Sequence, residues 1–246
     1  GGDASRLRPI IPGGRDEIPC VQGVQRDRLA AFPYNRSIGE RLPGTPHACS
    51  PDNHEANSMD MPVNVFKRKI ATPDVAYGAW LSASSASTAE ALGCAGYDFL
   101  VVDMEHSPIE FPQVVEILRA IAGTPASPMT RVPWNDMVMI KRALDAGAQT
   151  LLLPLIQDAD EARRAVAYTR YPPDGVRGVA GMQRAGRYGM VANYARHAAD
   201  ELCVVVQIET VTALAQLERI AEVPGVDSIF IGPSDLAASM GHLGDI

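Results

Sequence analysis

A run of five apolar residues at positions 202–206 constrains the fold of this chain more than any other feature. Three of the five are valines, and the run is followed by the polar side chains of Gln207, Glu209 and Thr210. A short, continuous apolar run is typical of a strand that is buried on both faces, as in a parallel sheet. Residues 211–221 then show helical spacing of apolar side chains. The polar residues are therefore predicted to lie at the carboxyl end of a buried strand, directly before a helix.

The same alternation recurs along most of the chain, at intervals that suit strand–helix units. It predicts a parallel α/β protein. The dinucleotide-binding motif G-x-G-x-x-G does not follow the first strand, and there is no P-loop motif, so a TIM-type (β/α)8 barrel is favoured over a doubly wound sheet. Strands are predicted near residues 75–81, 97–103, 127–132, 150–154, 201–210 and 228–231, and helices near 87–93, 110–122, 136–146, 158–169 and 211–221.

Two domains of unequal character are expected. Residues 1–62 carry Pro, Gly, Arg and Asp without apolar periodicity, which predicts a disordered leader. Residues 63–246 are predicted to form the barrel. Only about six β/α units fit into this length of pattern, so the barrel is expected to be incomplete, with its last two units missing.

Composition excludes several classes of protein. The net charge of −7 and the lack of a basic cluster disfavour a nucleic-acid partner. No apolar run reaches the roughly 18–20 residues that cross a bilayer, and the first residues lack a signal-peptide core. The four cysteines are scattered without a C-x-x-C pair, which indicates reduced thiols in a cytoplasmic protein.

Polar and ionisable side chains cluster where the predicted strands end, and in a parallel barrel these ends share one rim. Each has a structural alternative: His106 as a hydrogen-bonding residue, Arg131 as an ion-pair partner, Asp235 as a helix cap. Glu209 is the hardest to explain structurally, because a carboxylate that ends an apolar strand needs a partner. The rim residues are Asp103, Glu105, His106, Arg131, Gln207, Glu209, Ser234 and Asp235.

These residue types favour metal-dependent aldol chemistry. Two carboxylates without cysteine or clustered histidine suit a hard divalent ion such as Mg²⁺ or Mn²⁺, which can hold a 2-oxo acid and stabilise its enolate. An arginine adds positive charge, and a histidine can move the proton. The alternative aldolase mechanism needs a Schiff-base lysine. The chain has only Lys67 and Lys69, before the barrel, and Lys141, inside a helix, so that mechanism is disfavoured.

Several motifs, in order, resemble the HpcH/HpaI aldolases, which are class II, pyruvate-forming enzymes. The resemblance extends over residues 75–246. The motifs are Asp103-Met-Glu-His106, Arg131-Val-Pro133, Gly147-Ala-Gln-Thr-Leu-Leu-Leu-Pro154, Arg170-Tyr-Pro-Pro-Asp-Gly-Val-Arg-Gly178, Gln207-Ile-Glu209 and Gly232-Pro-Ser-Asp-Leu236.

The resemblance implies a role for each site residue. It implies a homo-oligomer, hexameric in the family, acting on a small 2-oxo acid with a divalent metal (Mg²⁺, or Mn²⁺ or Co²⁺) and with no nucleic-acid or membrane partner. The implied roles are metal binding by Glu209 and Asp235, contact with pyruvate oxygens by Arg131, acid–base catalysis by His106 oriented by Asp145, a place beside the metal for Gln207, and carboxylate binding by the backbone of Gly232, Pro233 and Ser234.

The implied activity is reversible cleavage of a 4-hydroxy-2-oxo acid into pyruvate and an aldehyde. The substrate would be a 2-keto-3-deoxy sugar acid such as 2-dehydro-3-deoxyglucarate, or 4-hydroxy-2-oxoheptanedioate. Two alternatives stay open at this point. One is a carbon–carbon lyase of the citrate-lyase or malyl-CoA type, for which no basic stretch suggests a coenzyme A site, and the other is an inactive, truncated fragment.

Overall fold

The structure, a computed structural model, describes residues 58–245. Within them the six strands form one parallel sheet, in which every strand pairs with its neighbour in sequence. The predicted parallel α/β architecture is confirmed. The strands are β1 (Gly78–Leu81), β2 (Phe99–Asp103), β3 (Ser127–Arg131), β4 (Thr150–Leu153), β5 (Cys203–Ile208) and β6 (Ser228–Ile231).

Helices connect the strands and follow the predicted positions closely between β1 and β5. No helix within the described part of the chain has the length and apolarity to cross a membrane. The helices are α1 (Val65–Ile70), α2 (Ala86–Gly93), α3 (Phe111–Ile121), α4 (Met137–Asp145), α5 (Ala159–Thr169), α6 (Tyr194–His197), α7 (Val211–Leu214), α8 (Leu217–Ala221) and α9 (Pro233–Ser239), with 3-10 turns at Arg184–Gly189 and Ala198–Glu201.

The sheet curls into part of a barrel. β1 and β6 lie at opposite edges of the sheet, yet the rings of Trp80 on β1 and Phe230 on β6 have centroids only 5.6 Å apart. Side chains from the two edges therefore meet on the concave face. Because all strands run in the same direction, their carboxyl ends form a single rim around this face.

Alternation along the strands separates two apolar cores. The convex face packs against the helices, while the concave face forms a smaller cluster inside the curled sheet. This division explains why the strands are nearly continuous apolar runs. The inner cluster contains Phe66, Val101, Met129, Leu152, Cys203 and Val205.

Helix α1 closes the amino-terminal end of the curled sheet, although the apolar periodicity does not predict it. Asn64 caps the helix by accepting a hydrogen bond from the Lys67 amide at 2.9 Å, and its own side-chain amide donates to Thr150 Oγ1 at 3.0 Å. The Phe66 side chain enters the inner cluster. Lys67 Nζ donates to the Leu202 carbonyl at 2.7 Å, which ties the helix to the start of β5.

Residues 58–62 belong to the predicted leader, and their backbone bonds to the rest of the described chain. The Met59 amide donates to the Met190 carbonyl at 2.8 Å, and the Gln149 side chain donates to the Pro62 carbonyl at 2.7 Å. Residues 58–62 therefore contact the barrel, because their backbone groups bond to it. The rest of the predicted leader, residues 1–57, lies outside the described residues.

The single helix predicted over residues 211–221 is two short helices, α7 and α8. Thr210 caps α7, since its hydroxyl accepts a hydrogen bond from the Ala213 amide at 3.1 Å. The Gln216 backbone, with ψ of 6°, leaves the helical conformation between the two. Both helices still pack on the sheet through one buried residue each, Ala213 and Ile220.

The role of α1 can be tested by truncating Phe66. We expect Phe66→Ala to lower the free energy of unfolding by about 3–5 kcal/mol, because the ring fills the inner cluster. Val65→Ala, on the same helix but with 59 % of the side chain exposed, is the control and should change stability by less than about 0.5 kcal/mol. Urea titration followed by circular dichroism measures both. Equal effects of the two substitutions would contradict the packing described here.

Candidate active site

Arg131 ends β3 at the rim and is only 7 % exposed. Its Nε donates to Asp103 Oδ1 at 2.8 Å, and its Nη2 donates to Asp103 Oδ2 at 2.7 Å. Its Nη1 lies 3.0 Å from Glu105 Oε2. A two-point contact of this kind fixes the plane of the guanidinium as well as its position. Two carboxylates thus offset the cost of burying this charge.

Asp103 accepts hydrogen bonds from several groups around Arg131; together we call these residues the first half of the site. Trp80 Nε1 donates to its Oδ2 at 3.1 Å, and the backbone amides of Glu105 and His106 donate to its Oδ1 at 3.0 and 3.3 Å. Burial raises the pKa of Asp103, but the hydrogen bonds from Arg131 and Trp80 outweigh burial and bring the pKa below its ordinary value. Asp103 therefore stays ionised and holds Arg131 in place.

Trp80 is a site residue that the strand-end pattern does not identify. The Arg131 guanidinium lies 4.9 Å from the centroid of the Trp80 ring, which adds a cation–π contact. The feature that could have pointed to Trp80 is its position next to last in β1, near the end of the strand. An apolar ring at that position is more commonly part of a core, so the sequence alone does not assign it to the site.

Glu105 contacts Arg131, and its pKa also responds to the carboxylate of Glu209. Burial raises its pKa, and the carboxylates of Glu209 and Asp103 raise the pKa further, against the opposite effect of Arg131. All strands of the curled sheet are parallel, so Glu105 and Glu209, which follow β2 and β5, lie at the same end of the sheet. The convergence of Arg131 and Glu209 on one binding site stays a prediction.

Glu209, which is 2 % exposed, is the buried carboxylate of the second half. Its Oε1 accepts a hydrogen bond from the Leu155 amide at 2.7 Å, and its Oε2 accepts one from the Gln207 side chain. Leu155 has a φ of 53°, a left-handed conformation that costs a non-glycine residue roughly 1 kcal/mol or more. The strained backbone directs the amide of Leu155 at Glu209, and no side-chain pattern could have indicated it.

Gly232 lets the backbone after β6 approach Glu209 closely. A Cβ atom at this position would lie 2.6 Å from Glu209 Oε2 and 3.3 Å from Gln207 Nε2. Gln207 is buried as well, and its Oε1 has no hydrogen-bond partner among the residues described. Glu209 Oε2 and Gln207 Nε2 thus lie directly beside the backbone of Gly232.

The backbone of residues 232–234 offers less to a carboxylate than the sequence suggests. The Gly232 amide already donates to the Ile208 carbonyl at 3.0 Å, and Pro233 has no N–H group. Ser234 lies in the first turn of α9, where amides have no carbonyl partner within the helix. Of the three residues predicted to bind a carboxylate through their backbone, only Ser234 therefore has a backbone N–H that is not already engaged.

The oxygen donors of this half suit a hard divalent cation. Asp235 is exposed in the first turn of α9, three residues after Gly232, and Glu209 and Gln207 supply buried oxygens. No cluster of three or more His, Cys, Asp and Glu side chains capable of holding a metal occurs in residues 58–245. Two carboxylates with room for water and substrate oxygens are nevertheless a usual ligand set for Mg²⁺.

The structure separates His106 from Asp145. His106 follows β2 at the rim with 65 % of its side chain exposed, and its nearest acidic atom is Glu105 Oε1 at 3.8 Å. Asp145 ends α4, which returns the chain to the start of β4, so it lies at the opposite end of the sheet. There it accepts a hydrogen bond from Arg177 Nη2 at 2.8 Å. Within one chain the two residues therefore lie at opposite ends of the sheet, and the orientation of His106 by Asp145 stays a prediction.

All three lysines of the chain lie away from the rim. Lys67 and Lys69 belong to α1 at the amino-terminal end of the sheet, where Lys67 Nζ bonds to the Leu202 carbonyl and Lys69 Nζ bonds to Asp98. Lys141 lies on α4, on the convex side. The rim therefore contains an arginine and buried carboxylates but no amine nucleophile.

Fold and rim together define a barrel enzyme whose site combines a buried arginine with oxygen donors. The chain belongs to the HpcH/HpaI aldolase/citrate lyase family, whose model matches residues 76–245. A hydroxypyruvate/pyruvate aldolase from Sagittula stellata is 53 % identical over 186 residues, covering 76 % of this chain and 74 % of the relative. A 4-hydroxy-2-oxo-heptane-1,7-dioate aldolase from Klebsiella pneumoniae is 50 % identical over 183 residues, covering 74 % and 69 %.

A solved structure agrees with this assignment. A HpcH/HpaI aldolase/citrate lyase family protein from Burkholderia cenocepacia has a TM-score of 0.72 at 48 % identity, covering 74 % of each chain. Sequence and fold thus give the same family. The chain is a carbon–carbon lyase of the aldolase type, and its family implies a divalent metal.

Removing the charge of Asp103 should show how strongly Arg131 depends on it. We expect Asp103→Asn to destabilise the protein by roughly 3–5 kcal/mol, because an amide group would face donors and leave the buried guanidinium underpaired. Glu116→Gln removes a carboxylate from an exposed pair with Arg119 and should cost less than about 1 kcal/mol. Denaturant unfolding at neutral pH compares them. A loss for Asp103→Asn as small as the control's would contradict this role.

Proposed function

We propose that this chain is a metal-dependent aldolase that reversibly cleaves a 4-hydroxy-2-oxo acid to pyruvate and an aldehyde. The observation that carries the proposal is the pair of Arg131 and Glu209, both buried on the concave rim, with every lysine elsewhere. The relatives described above carry aldolase names, which favours this activity over citrate-lyase-type cleavage. A homo-oligomeric assembly and a cytoplasmic location stay predictions.

Arg131 would bind the 2-oxo acid end of the substrate. The guanidinium has five N–H groups, of which two donate to Asp103, while Nη1 lies 3.0 Å from Glu105 Oε2 as an ion pair. N–H groups on both terminal nitrogens are left for substrate oxygens. Because Asp103 fixes the guanidinium plane, these donors are oriented before the substrate arrives, and their positive charge offsets the negative charge that develops on the 2-oxo oxygen.

Glu209 and Asp235 would hold the divalent cation, for which we propose Mg²⁺, with Mn²⁺ or Co²⁺ as substitutes. Such an ion supplies Lewis acidity at the 2-oxo group. The hydrogen bonds from Leu155 and Gln207 keep the Glu209 carboxylate in one orientation, and the missing Cβ of Gly232 allows the backbone to lie close to its Oε2. Gln207 Oε1, which has no hydrogen-bond partner among the described residues, would accept a hydrogen bond from a water molecule or substrate hydroxyl.

His106 would move the proton. In the cleavage direction the imidazole takes the proton of the 4-hydroxyl group, the C3–C4 bond breaks, and the aldehyde leaves. The electron pair of that bond stays on the pyruvate part, whose C3 is then protonated. The exposed position of His106 beside Glu105 suits a group that exchanges protons with water.

Glu209→Gln tests the cation site. We expect metal affinity to fall by about 100-fold or more, since even residues that only support a ligand typically contribute about 10–100-fold. Glu222→Gln, an exposed carboxylate on the far side of α8, is the control. Calorimetric titration of the metal-free protein with Mg²⁺ and Mn²⁺ gives affinity independently of turnover. Unchanged affinity in Glu209→Gln would place the metal elsewhere.

His106→Ala tests the proton transfer. Loss of a general acid–base group typically lowers the rate by about 10²–10⁴-fold, and metal affinity should be unaffected. His197→Ala is a matched control, because His197 is equally exposed and also lies near one carboxylate, that of Asp200. Steady-state kinetics of pyruvate release, measured beside metal titrations, separates the two effects. A fall in metal affinity as large as the fall in kcat would make His106 a ligand instead.

A further inference from the structure

A cavity lies at the amino-terminal end of the sheet, opposite to the rim that carries the candidate active site. We call it the basal cavity; its volume is about 280 Å³. It is bounded by the end of α3, the starts of β3 and β4, residues 62–65 before and within α1, and the 3-10 turn Arg184–Gly189. None of the residues assigned above to metal, substrate or proton transfer lines it.

The basal cavity carries uncompensated positive charge. Arg184 and Arg187 line it, whereas no Asp or Glu among residues 58–245 does. Arg184 Nη1 donates to the Ala146 carbonyl at 2.9 Å, which leaves its Nε and Nη2 without a partner among the residues described. Arg187 has neither an ion pair nor a side-chain hydrogen bond to any residue of the described part. This charge is not a product of overall composition, because the chain has a net charge of −7.

The pKa of Arg184 and the backbone conformation of Arg187 both support the conclusion that the basal cavity is positively charged. The pKa of Arg184 is lowered by burial first, and then by the positive charges of Arg187 and Arg119. An anion between them would relieve this repulsion. Arg187 and Tyr188 have φ values of 51° and 57°, two consecutive left-handed residues that are not glycine. The surrounding structure maintains this costly turn, which places Arg187 at the cavity.

The remaining walls determine what kind of anion fits. The side-chain amides of Asn64 and Gln149 are engaged with Thr150 and the Pro62 carbonyl, so they are not free to bind a ligand. On the other side the wall is apolar and contains Leu118, Ile121 and Pro125. A ligand would therefore present a negative group to the arginines and an apolar part to this wall.

We propose that the basal cavity binds a small organic anion, with a carboxylate or phosphate group carried on a short apolar body. Arg184 and Arg187 recognise the anionic group through charge-assisted hydrogen bonds. The end of α3 and Pro125 contact the apolar body. The site is separate from the catalytic rim, since the two lie at opposite ends of the same strands.

Calorimetric titration of the full chain tests this site, with benzoate, phenyl phosphate and inorganic phosphate as probes and phenol as the neutral probe. We expect benzoate or phenyl phosphate to bind with a Kd of about 1 mM or below, and phenol to bind at least about 10-fold more weakly. Inorganic phosphate should bind more weakly than phenyl phosphate. The preference between benzoate and phenyl phosphate identifies the anionic group.

Variants locate the bound probe. Arg187→Gln, at an exposed position that should fold normally, should weaken binding about 10-fold, the effect expected for a hydrogen bond to a charged group. Arg219→Gln, an exposed arginine on α8 that does not line the cavity, should leave binding unchanged. Failure of every anionic probe to bind overturns the proposal. Binding that is unaffected by Arg187→Gln but lost in Glu209→Gln overturns it too, because the probe would then occupy the catalytic rim.

Discussion

The burial of one guanidinium group, that of Arg131, is the constraint on which the site depends. A charge in this position at the end of β3 is tolerated only with nearby negative charge, which Asp103 and Glu105 provide from the end of β2. The parallel register that places Asp103 opposite Arg131 is therefore a requirement of the site as well as of the sheet. Trp80 extends the same network to β1 by contacting both members of the pair. Three consecutive strand ends are thus held in a single arrangement around a guanidinium whose two terminal nitrogens both keep N–H groups that bond to no described residue.

The opposite half of the rim follows a different principle. Glu209 is held by hydrogen-bond donors and has no cation among its hydrogen-bond partners: its bonds come from the backbone of Leu155 and the side chain of Gln207. A buried carboxylate without a counter-charge is costly, which makes a bound cation the natural complement. The left-handed backbone of Leu155 also costs free energy beside Glu209, and the close approach of residue 232 to Glu209 requires a glycine. Positive charge on one side and an unmatched carboxylate on the other are the basis of our proposal that a 2-oxo acid binds between Arg131 and a metal ion.

The sequence predicts the fold because the apolar runs of a doubly buried sheet are visible without partners. It also places Arg131, Glu209 and His106 on one rim, since strand ends coincide in any parallel barrel. It does not show that Asp103 binds Arg131, because that contact depends on register between strands about 30 residues apart in sequence. Helix α1 escapes prediction since its six residues are too few for a periodic pattern. The Leu155 contact comes from the backbone, which leaves no side-chain signal. The family motif also does not show that Asp145 lies at the other end of the sheet from His106 within one chain, because a motif carries no information on which end of the sheet a helix reaches.

The central claim is that Arg131 and an oxygen-bound cation, and not a lysine, stabilise the negative charge on a pyruvate oxygen. Exchange of the pyruvate methyl protons in D2O, followed by NMR, tests it most directly because it needs neither the aldehyde nor the full cleavage reaction. The account predicts exchange that requires a divalent metal, stops on addition of a chelator, and leaves the protein mass unchanged after borohydride treatment in the presence of pyruvate. Exchange that survives chelation, together with a borohydride-stable pyruvate adduct on a lysine, would contradict it.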